Sequence, residues 1–140
     1  MKSGKFWLAV LVGGVVLNIL DILLHGIILH GYYAQMPELF NPPGNPVLFI
    51  VCDFVVVLVY AWVYDRVYGS FGGGAKGGAT YGLYAGVITS FPTWLFMSVL
   101  MKGWPMSLSW IWTINGIVWS IIIGAVIGAL YKKGQMASAA

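Results

Sequence analysis

The stretch VLFIVCDFVVVLVYAWVY, residues 47–64, decides the fold, because its 18 residues carry a single charge, at Asp53. At 1.5 Å rise per residue, an apolar helix of this length just crosses a hydrocarbon core about 30 Å thick. Three further apolar stretches accompany it, at residues 6–29, 79–100 and 108–131. The sequence therefore predicts an all-α fold, an integral membrane four-helix bundle that forms one domain over residues 1–140.

The composition is that of a membrane protein. Hydrophobic residues make up 60% of the chain and charged residues 8%, whereas about 25% of an ordinary soluble domain is charged. The one cysteine excludes a disulfide or a paired-cysteine metal site within the chain. The first apolar run continues past Asp21 without a small-residue cleavage site, so we interpret it as a retained span rather than a signal peptide.

The basic residues predict the orientation, since cytoplasmic loops next to spans are enriched in Lys and Arg. With four crossings, one side of the membrane receives six of the seven basic residues, namely Lys2, Lys5, Arg66, Lys76, Lys132 and Lys133. Lys102 stands alone on the other side. Both termini are therefore predicted to be cytoplasmic.

Small residues recur every fourth position in the third and fourth spans, and residues at this spacing share one helical face. The predicted packing residues are Gly78, Gly82 and Gly86 in the third span, and Gly116, Ser120, Gly124 and Gly128 in the fourth. Membrane helices associate through such small residues because the backbones can then approach closely. We expect the third and fourth spans to pack tightly, although glycine is also common in membrane helices in general.

Polar residues within the spans form the candidate site. An ionised carboxylate at a helix centre costs about 2.5–3.5 kcal/mol on insertion scales, so Asp21 and Asp53 are the most informative residues. Their sequence positions, with those of Thr93 and Asn115, place all four about 9 to 12 Å below the outer ends of their spans. The predicted ligand-binding cluster consists of Asn18, Asp21, His25, Asp53, Thr93 and Asn115. The alternative is that these residues only hydrogen-bond between helices and fix their register.

Catalytic and cofactor motifs are absent, and we predict no cofactor and no metal, with bound lipid as the compatible ligand. His25 and His30 are five residues apart on one helix, so they cannot bind opposite faces of one haem. A haem or metal held by His25 alone is disfavoured. Residues 72–78, GGGAKGG, lack the Ser or Thr that follows the lysine of a phosphate-binding loop, and we interpret them as a flexible connection.

The outer segment, residues 30–46, is apolar for a solvated loop, with Tyr32, Tyr33, Met36, Leu39 and Phe40. It is predicted to lie on the membrane surface. Two roles remain open at this point: a lid over the polar cluster, or a contact for a partner subunit.

Three features resemble a known family: Asp21 in the first span, Gly78-Ala79-x-x-Gly82-x-x-x-Gly86 at the start of the third, and Lys102-Gly103-Trp104-Pro105 before the fourth. They are similar to an uncharacterised family of small four-helix bacterial membrane proteins, a domain-of-unknown-function family. The resemblance implies the fold and a bacterial origin. The family's acidic residues in the third and fourth spans are missing here, where Asn115 is a neutral counterpart.

Two classes of function follow. The favoured one is a non-enzymatic protein of the bacterial cytoplasmic (inner) membrane, either an accessory or structural subunit of a membrane complex or a binder of lipid or a small ligand. Its expected partners are membrane lipids and other membrane subunits or a second copy, with no nucleic acid. The alternative is a small transporter or membrane enzyme that uses Asp21 and Asp53.

Overall fold

A computed structural model describes residues 3–40 and 45–131. Within these residues all regular secondary structure is helical: α1 (Gly4–Asp21), a π-helical segment (Ile22–Ile28), α2 (His30–Tyr33), α3 (Pro46–Phe71), α4 (Gly74–Leu100) and α5 (Met106–Leu130). Four segments, Gly4–Ile28, Pro46–Phe71, Gly74–Leu100 and Met106–Leu130, are long and apolar enough to cross a membrane. The prediction of an all-helical chain with four such helices is confirmed for the described residues.

Local signals explain where the helices begin. Ser3 caps α1, with its hydroxyl accepting a hydrogen bond from the Phe6 amide. Asn45 caps α3, with its side-chain oxygen 3.0 Å from the Val47 nitrogen, and Pro46 occupies the first turn, where its missing N–H costs no hydrogen bond. We call the end of the bundle that carries residues 29–40 and 101–105 the outer end, after the predicted orientation, and the opposite end the inner end.

The turn between α3 and α4 is a correction to the sequence prediction. The second span was expected to end at residue 64, the third to begin at residue 79, and residues 72–78 to be flexible. Instead α3 runs to Phe71 and α4 starts at Gly74. Gly72, Gly73 and Gly74 all have positive φ, which glycine adopts without the steric penalty of a side chain. The chain therefore reverses within two residues.

Helices α4 and α5 form the closest pair, and their backbones touch. A Cβ atom on Gly78 would overlap the carbonyl oxygen of Gly124, and one on Gly82 would overlap the carbonyl oxygen of Ser120. A Cβ on Gly128 would overlap the Gly74 carbonyl oxygen. Gly86 faces the Ser120 side chain, and Gly116 faces Ser90. All seven predicted packing residues thus lie at this contact, as close backbone approach requires.

Helix α1 lies between α3 and α5. Gly13 and Gly14 of α1 receive the side chains of Val57 and Phe54 from α3. The core fills the inner half of the bundle, where its fully buried members are Phe6, Ala9, Val57, Ala61, Tyr64 and Ile127. The outer half of α3 is different, because Val47, Leu48 and Phe49 are 61 to 68% exposed. Such exposure of apolar side chains suits contact with lipid.

At the inner end, a buried carboxyl group of α3 is hydrogen-bonded to the residue that follows α5. Asp65 on α3 is 7% exposed and accepts a hydrogen bond from the hydroxyl of Tyr131, just after α5. Burial, assisted by the bond to Asp65, raises the pKa of Tyr131 to about 12, so the phenol keeps its proton to donate. Arg66 lies over the Trp62 ring. Three of the six basic residues of the orientation argument, Lys2, Lys132 and Lys133, lie outside the described residues.

Candidate functional site

Two carboxyl groups meet in the outer half of the bundle. Asp21 is the last residue of α1 and Asp53 lies in the second turn of α3. Both are half-buried, and their side chains lie within hydrogen-bonding reach of each other. Each lies seven residues from the outer end of its span, Ile28 and Pro46 respectively, which is a depth of about 10 Å. We call Asp21 and Asp53 the carboxyl pair.

A third helix holds this pair in place. Trp119 of α5 donates a hydrogen bond from its indole nitrogen to Asp21 Oδ1, over 2.7 Å. An indole N–H is only a donor, so it favours an oxygen that carries negative charge. The carboxyl pair is therefore positioned by α1, α3 and α5 together.

The charge of the pair follows from its hydrogen bond. A bond between two carboxyl groups requires a proton on one of them, and two close carboxylates avoid repulsion by sharing that proton. No Lys or Arg occurs in the outer halves of the four spans. We therefore expect the pair to carry one negative charge with no basic residue at this level, a charge that can accept a cationic group.

His25 lies one turn outward of Asp21, in the π-helical segment. The wider turn is visible in the hydrogen bond from the Leu29 nitrogen to the Leu24 oxygen, five residues back, at 2.7 Å. His25 Nδ1 is 2.5 Å from the Tyr33 hydroxyl oxygen. Trp112 of α5 donates its indole N–H to the same oxygen over 2.9 Å. Asp21 also acts electrostatically on both His25 and Tyr33.

An outer aromatic cluster covers this end of the bundle; its members are Tyr33, Phe40, Trp94, Trp104 and Trp112. Trp112 is central, with ring centroids 4.5 Å from Trp94 and 5.3 Å from Trp104. Phe40 lies 4.5 Å from Tyr33 and 6.2 Å from Trp112. Aromatic rings in contact have centroids about 4.5–7 Å apart, so the rings pack directly on one another. Because Trp112 is two helical turns outward of Trp119, the cluster lies between the carboxyl pair and the outer end of the bundle.

Three of the six predicted site residues lie apart from the pair. Asn18 hydrogen-bonds the Gly14 carbonyl oxygen of its own helix and lines a groove between α1 and α3. Thr93 is exposed and bonds the Thr89 carbonyl oxygen, also within its own helix. Asn115 is half-buried on α5, and no hydrogen bond joins it to either aspartate. The structure thus brings together Asp21, Asp53 and His25.

Sequence reasoning missed the aromatic partners of these residues. Trp119 and Trp112 are seven residues apart, two helical turns, and so share one face of α5. That spacing could have identified a face of α5 that carries two indole donors. Tyr33 was assigned only to a surface segment, because the π-helical turn that brings it back over His25 leaves no clear mark in the sequence.

Among residues 3–40 and 45–131, no group of three or more His, Cys, Asp or Glu side chains has the arrangement to hold a metal ion. Comparison with protein-family models, with curated proteins and with solved structures finds no match to this chain.

Proposed function

We propose that this chain is a non-enzymatic integral membrane protein with four spans that binds the cationic head of a lipid or small amphiphile at the carboxyl pair. The observation that carries the proposal is the contact between Asp21 and Asp53 within the spans, fixed by the indole of Trp119. A carboxylate inside a membrane is costly, and neutral residues can join helices equally well. A ligand that neutralises the remaining charge offsets this cost.

The depth of the pair restricts the ligand. At about 10 Å below the end of the span, the head reaches the level of the acyl chains, so a hydrocarbon tail is required to keep the ligand there. Near the pair the described residues offer mainly apolar side chains and two carboxyl groups that share one charge, which is a poor coordination shell for a small inorganic cation with its preference for several oxygen ligands. The ligand class that fits is an ammonium head on a single alkyl chain.

The proposal is tested with three amphiphiles that share one alkyl chain: dodecylammonium, dodecanol and dodecanoate. The protein is held in nanodiscs of zwitterionic lipid at neutral pH, and binding is followed by tryptophan fluorescence, because Trp119 touches Asp21. We expect dodecylammonium to bind at least about tenfold more tightly than dodecanol, which is a difference of about 1.4 kcal/mol. Dodecanoate should bind most weakly.

A matched control is Cys52→Ser, a neutral change at the exposed neighbour of Asp53, which should leave the three affinities unchanged. Equal affinities for the ammonium and the alcohol would contradict the proposal, because they would show that only the tail is recognised.

We propose further that both termini face the cytoplasm, in a bacterial inner membrane. The support is the distribution of basic residues, with Lys5, Arg66 and Lys76 at the inner end and Lys102 at the outer end. In a Cys52→Ser background, Lys102→Cys should react with a membrane-impermeant maleimide on intact cells. Ser70→Cys should react only after permeabilisation. The reverse pattern would overturn the orientation.

We also propose that the protein associates with other membrane subunits or with a second copy. The outer half of α3, whose apolar side chains are exposed over several turns, offers a surface that suits a neighbouring membrane helix as well as lipid. Native mass spectrometry of the purified protein distinguishes bound subunits from bound lipid. A monomer that carries neither would exclude the role of an accessory subunit.

One observation favours a second candidate function, a small proton-coupled transporter. His25 lies between the carboxyl pair and the outer aromatic cluster and bonds the Tyr33 hydroxyl, so titratable groups continue from Asp21 towards the outer surface. In proteoliposomes, a transporter would move protons across the membrane when a gradient of tetramethylammonium is applied, because this cation has a permanent charge and cannot cross the bilayer as a neutral base. A binder would not.

A further inference from the structure

The segment that follows the first span folds back over the bundle. After the π-helical segment, α2 and the turn to Phe40 place two rings, Tyr33 and Phe40, against the tryptophans of α5 and its preceding loop. Trp112 is two helical turns, about 10 Å, outward of Trp119, which holds Asp21. Residues 30–40 thus form the outer cover of the carboxyl pair.

One hydroxyl group joins the cover to both helices beneath it. The Tyr33 oxygen accepts the Trp112 indole proton at 2.9 Å and lies 2.5 Å from His25 Nδ1. Burial raises the pKa of Tyr33 to about 12, with the hydrogen bond from Trp112 opposing and Asp21 adding to the effect. Tyr33 therefore keeps its proton. Because Trp112 donates to the Tyr33 oxygen, donation by Tyr33 to His25 Nδ1 is the arrangement that gives the phenol hydrogen an acceptor. This one-way chain of hydrogen bonds requires an imidazole that is neutral at Nδ1.

We propose that residues 30–40 are a lid over the carboxyl pair, latched by Tyr33, and that protonation of His25 opens it. The inference rests on the proposed ligand site beneath and concerns its regulation. Histidine ordinarily changes charge between pH 5 and 8. Once protonated, Nδ1 carries a hydrogen and cannot accept the Tyr33 proton. The Tyr33 hydroxyl hydrogen then loses its acceptor, and the imidazolium can only donate to an oxygen that already accepts the Trp112 proton.

The charged and titratable neighbours of His25 are few. Asp21 on α1 acts on it electrostatically, and Tyr33 on α2 bonds it directly. From α5 the facing side chain is Trp112, which does not titrate. His30 and Glu38 belong to the lid itself. A protonated His25 turns from Tyr33 towards the negative Asp21, which favours the open state under acid conditions.

Hydrogen–deuterium exchange of the full chain in nanodiscs tests the lid. The amides of Tyr33, Ala34 and Leu39 are hydrogen-bonded within the segment or to Leu29, so they report its opening. After correction for the intrinsic pH dependence of exchange, we expect about three- to tenfold faster exchange at pH 5 than at pH 8, the effect of losing one hydrogen bond.

Two variants distinguish loss of the hydrogen bond between Tyr33 and His25 from a general increase in the mobility of residues 30–40. Tyr33→Phe removes the hydroxyl and should exchange fast at both pH values. His25→Asn offers a side-chain oxygen in the place of Nδ1 that cannot be protonated under these conditions, and should remain slow at both. An unchanged pH response in His25→Asn would overturn the proposal.

Control variants are Tyr32→Phe, which removes the separate contact with Ser107 at 2.7 Å, and His30→Asn. Both should keep the response of the lid to pH. If His30→Asn lost this response, His30 rather than His25 would be the pH-sensitive residue, and the proposal would be overturned. The two proposals fail separately. Dodecylammonium binding with no pH response of the lid would overturn the lid alone, whereas a responsive lid with no ammonium binding would overturn the ligand site alone.

Discussion

Gly82→Leu is expected to destabilise the protein by about 3 kcal/mol or more. Even the Cβ atom of the new residue would overlap the Ser120 carbonyl oxygen, which belongs to the backbone of α5 and cannot rotate away. Helices α4 and α5 would have to separate and lose the contacts on both sides of the overlap. The measurement is thermal unfolding in a mild detergent, followed by the loss of circular dichroism or by aggregation.

Gly69→Leu is the matched control. Gly69 lies in α3, and a Cβ atom there meets no other atom within 4 Å, so the change should not lower the free energy of unfolding and should raise it by up to about 1 kcal/mol through the higher helix propensity of leucine. If Gly82→Leu unfolds at the same temperature as Gly69→Leu, α4 and α5 do not touch through their backbones.

The second large effect concerns ligand binding. The double variant Asp21→Asn, Asp53→Asn should lose at least about tenfold in affinity for dodecylammonium, because no negative charge then remains in the outer halves of the spans. Each single variant should bind nearly as well as the natural protein. An asparagine next to an aspartate donates the same hydrogen bond as the protonated member of the pair and leaves the same net charge.

This pattern distinguishes a shared charge from two separate ones. If the aspartates acted independently, each single variant would lose part of the affinity and the losses would add as free energies. Binding by the double variant equal to that of the natural protein would exclude the carboxyl pair as the site.

Much of the fold was accessible from the sequence, because apolar length and charge distribution are properties of the chain alone. The first and fourth spans were placed within two residues of the helices Gly4–Ile28 and Met106–Leu130. The turn at Gly72–Gly74 could not be predicted from the sequence, because a run of glycines is compatible both with a flexible linker and with successive positive φ angles. Tertiary packing decides between the two.

The candidate site could likewise be predicted only in part. Counting residues from the span ends placed Asp21 and Asp53 at one level, and the structure joins them. Depth alone does not tell which way a side chain points around its helix. Thr93 therefore had the expected depth but satisfies its hydroxyl on its own backbone, as Thr commonly does inside helices. Trp119 was overlooked because an indole within an apolar helix is usually a packing residue.

The aromatic cluster and the carboxyl pair have complementary tasks in the proposed site. The apolar rings outward of the pair lower the local dielectric, which strengthens the attraction between the pair and a cation. Trp119 keeps Asp21 oriented while the ligand is absent. The pair itself supplies a single negative charge, enough for one ammonium group.

The central claim is that Asp21 and Asp53 share one proton and leave one negative charge. Infrared spectroscopy on protein labelled with ¹³C-aspartate, in nanodiscs at neutral pH, measures this directly through the C=O stretching band of a protonated carboxyl group. A shared proton predicts this band in the natural protein and its loss in both Asp21→Asn and Asp53→Asn. Absence of the band from the natural protein, or its persistence in both variants, would contradict a proton shared between Asp21 and Asp53.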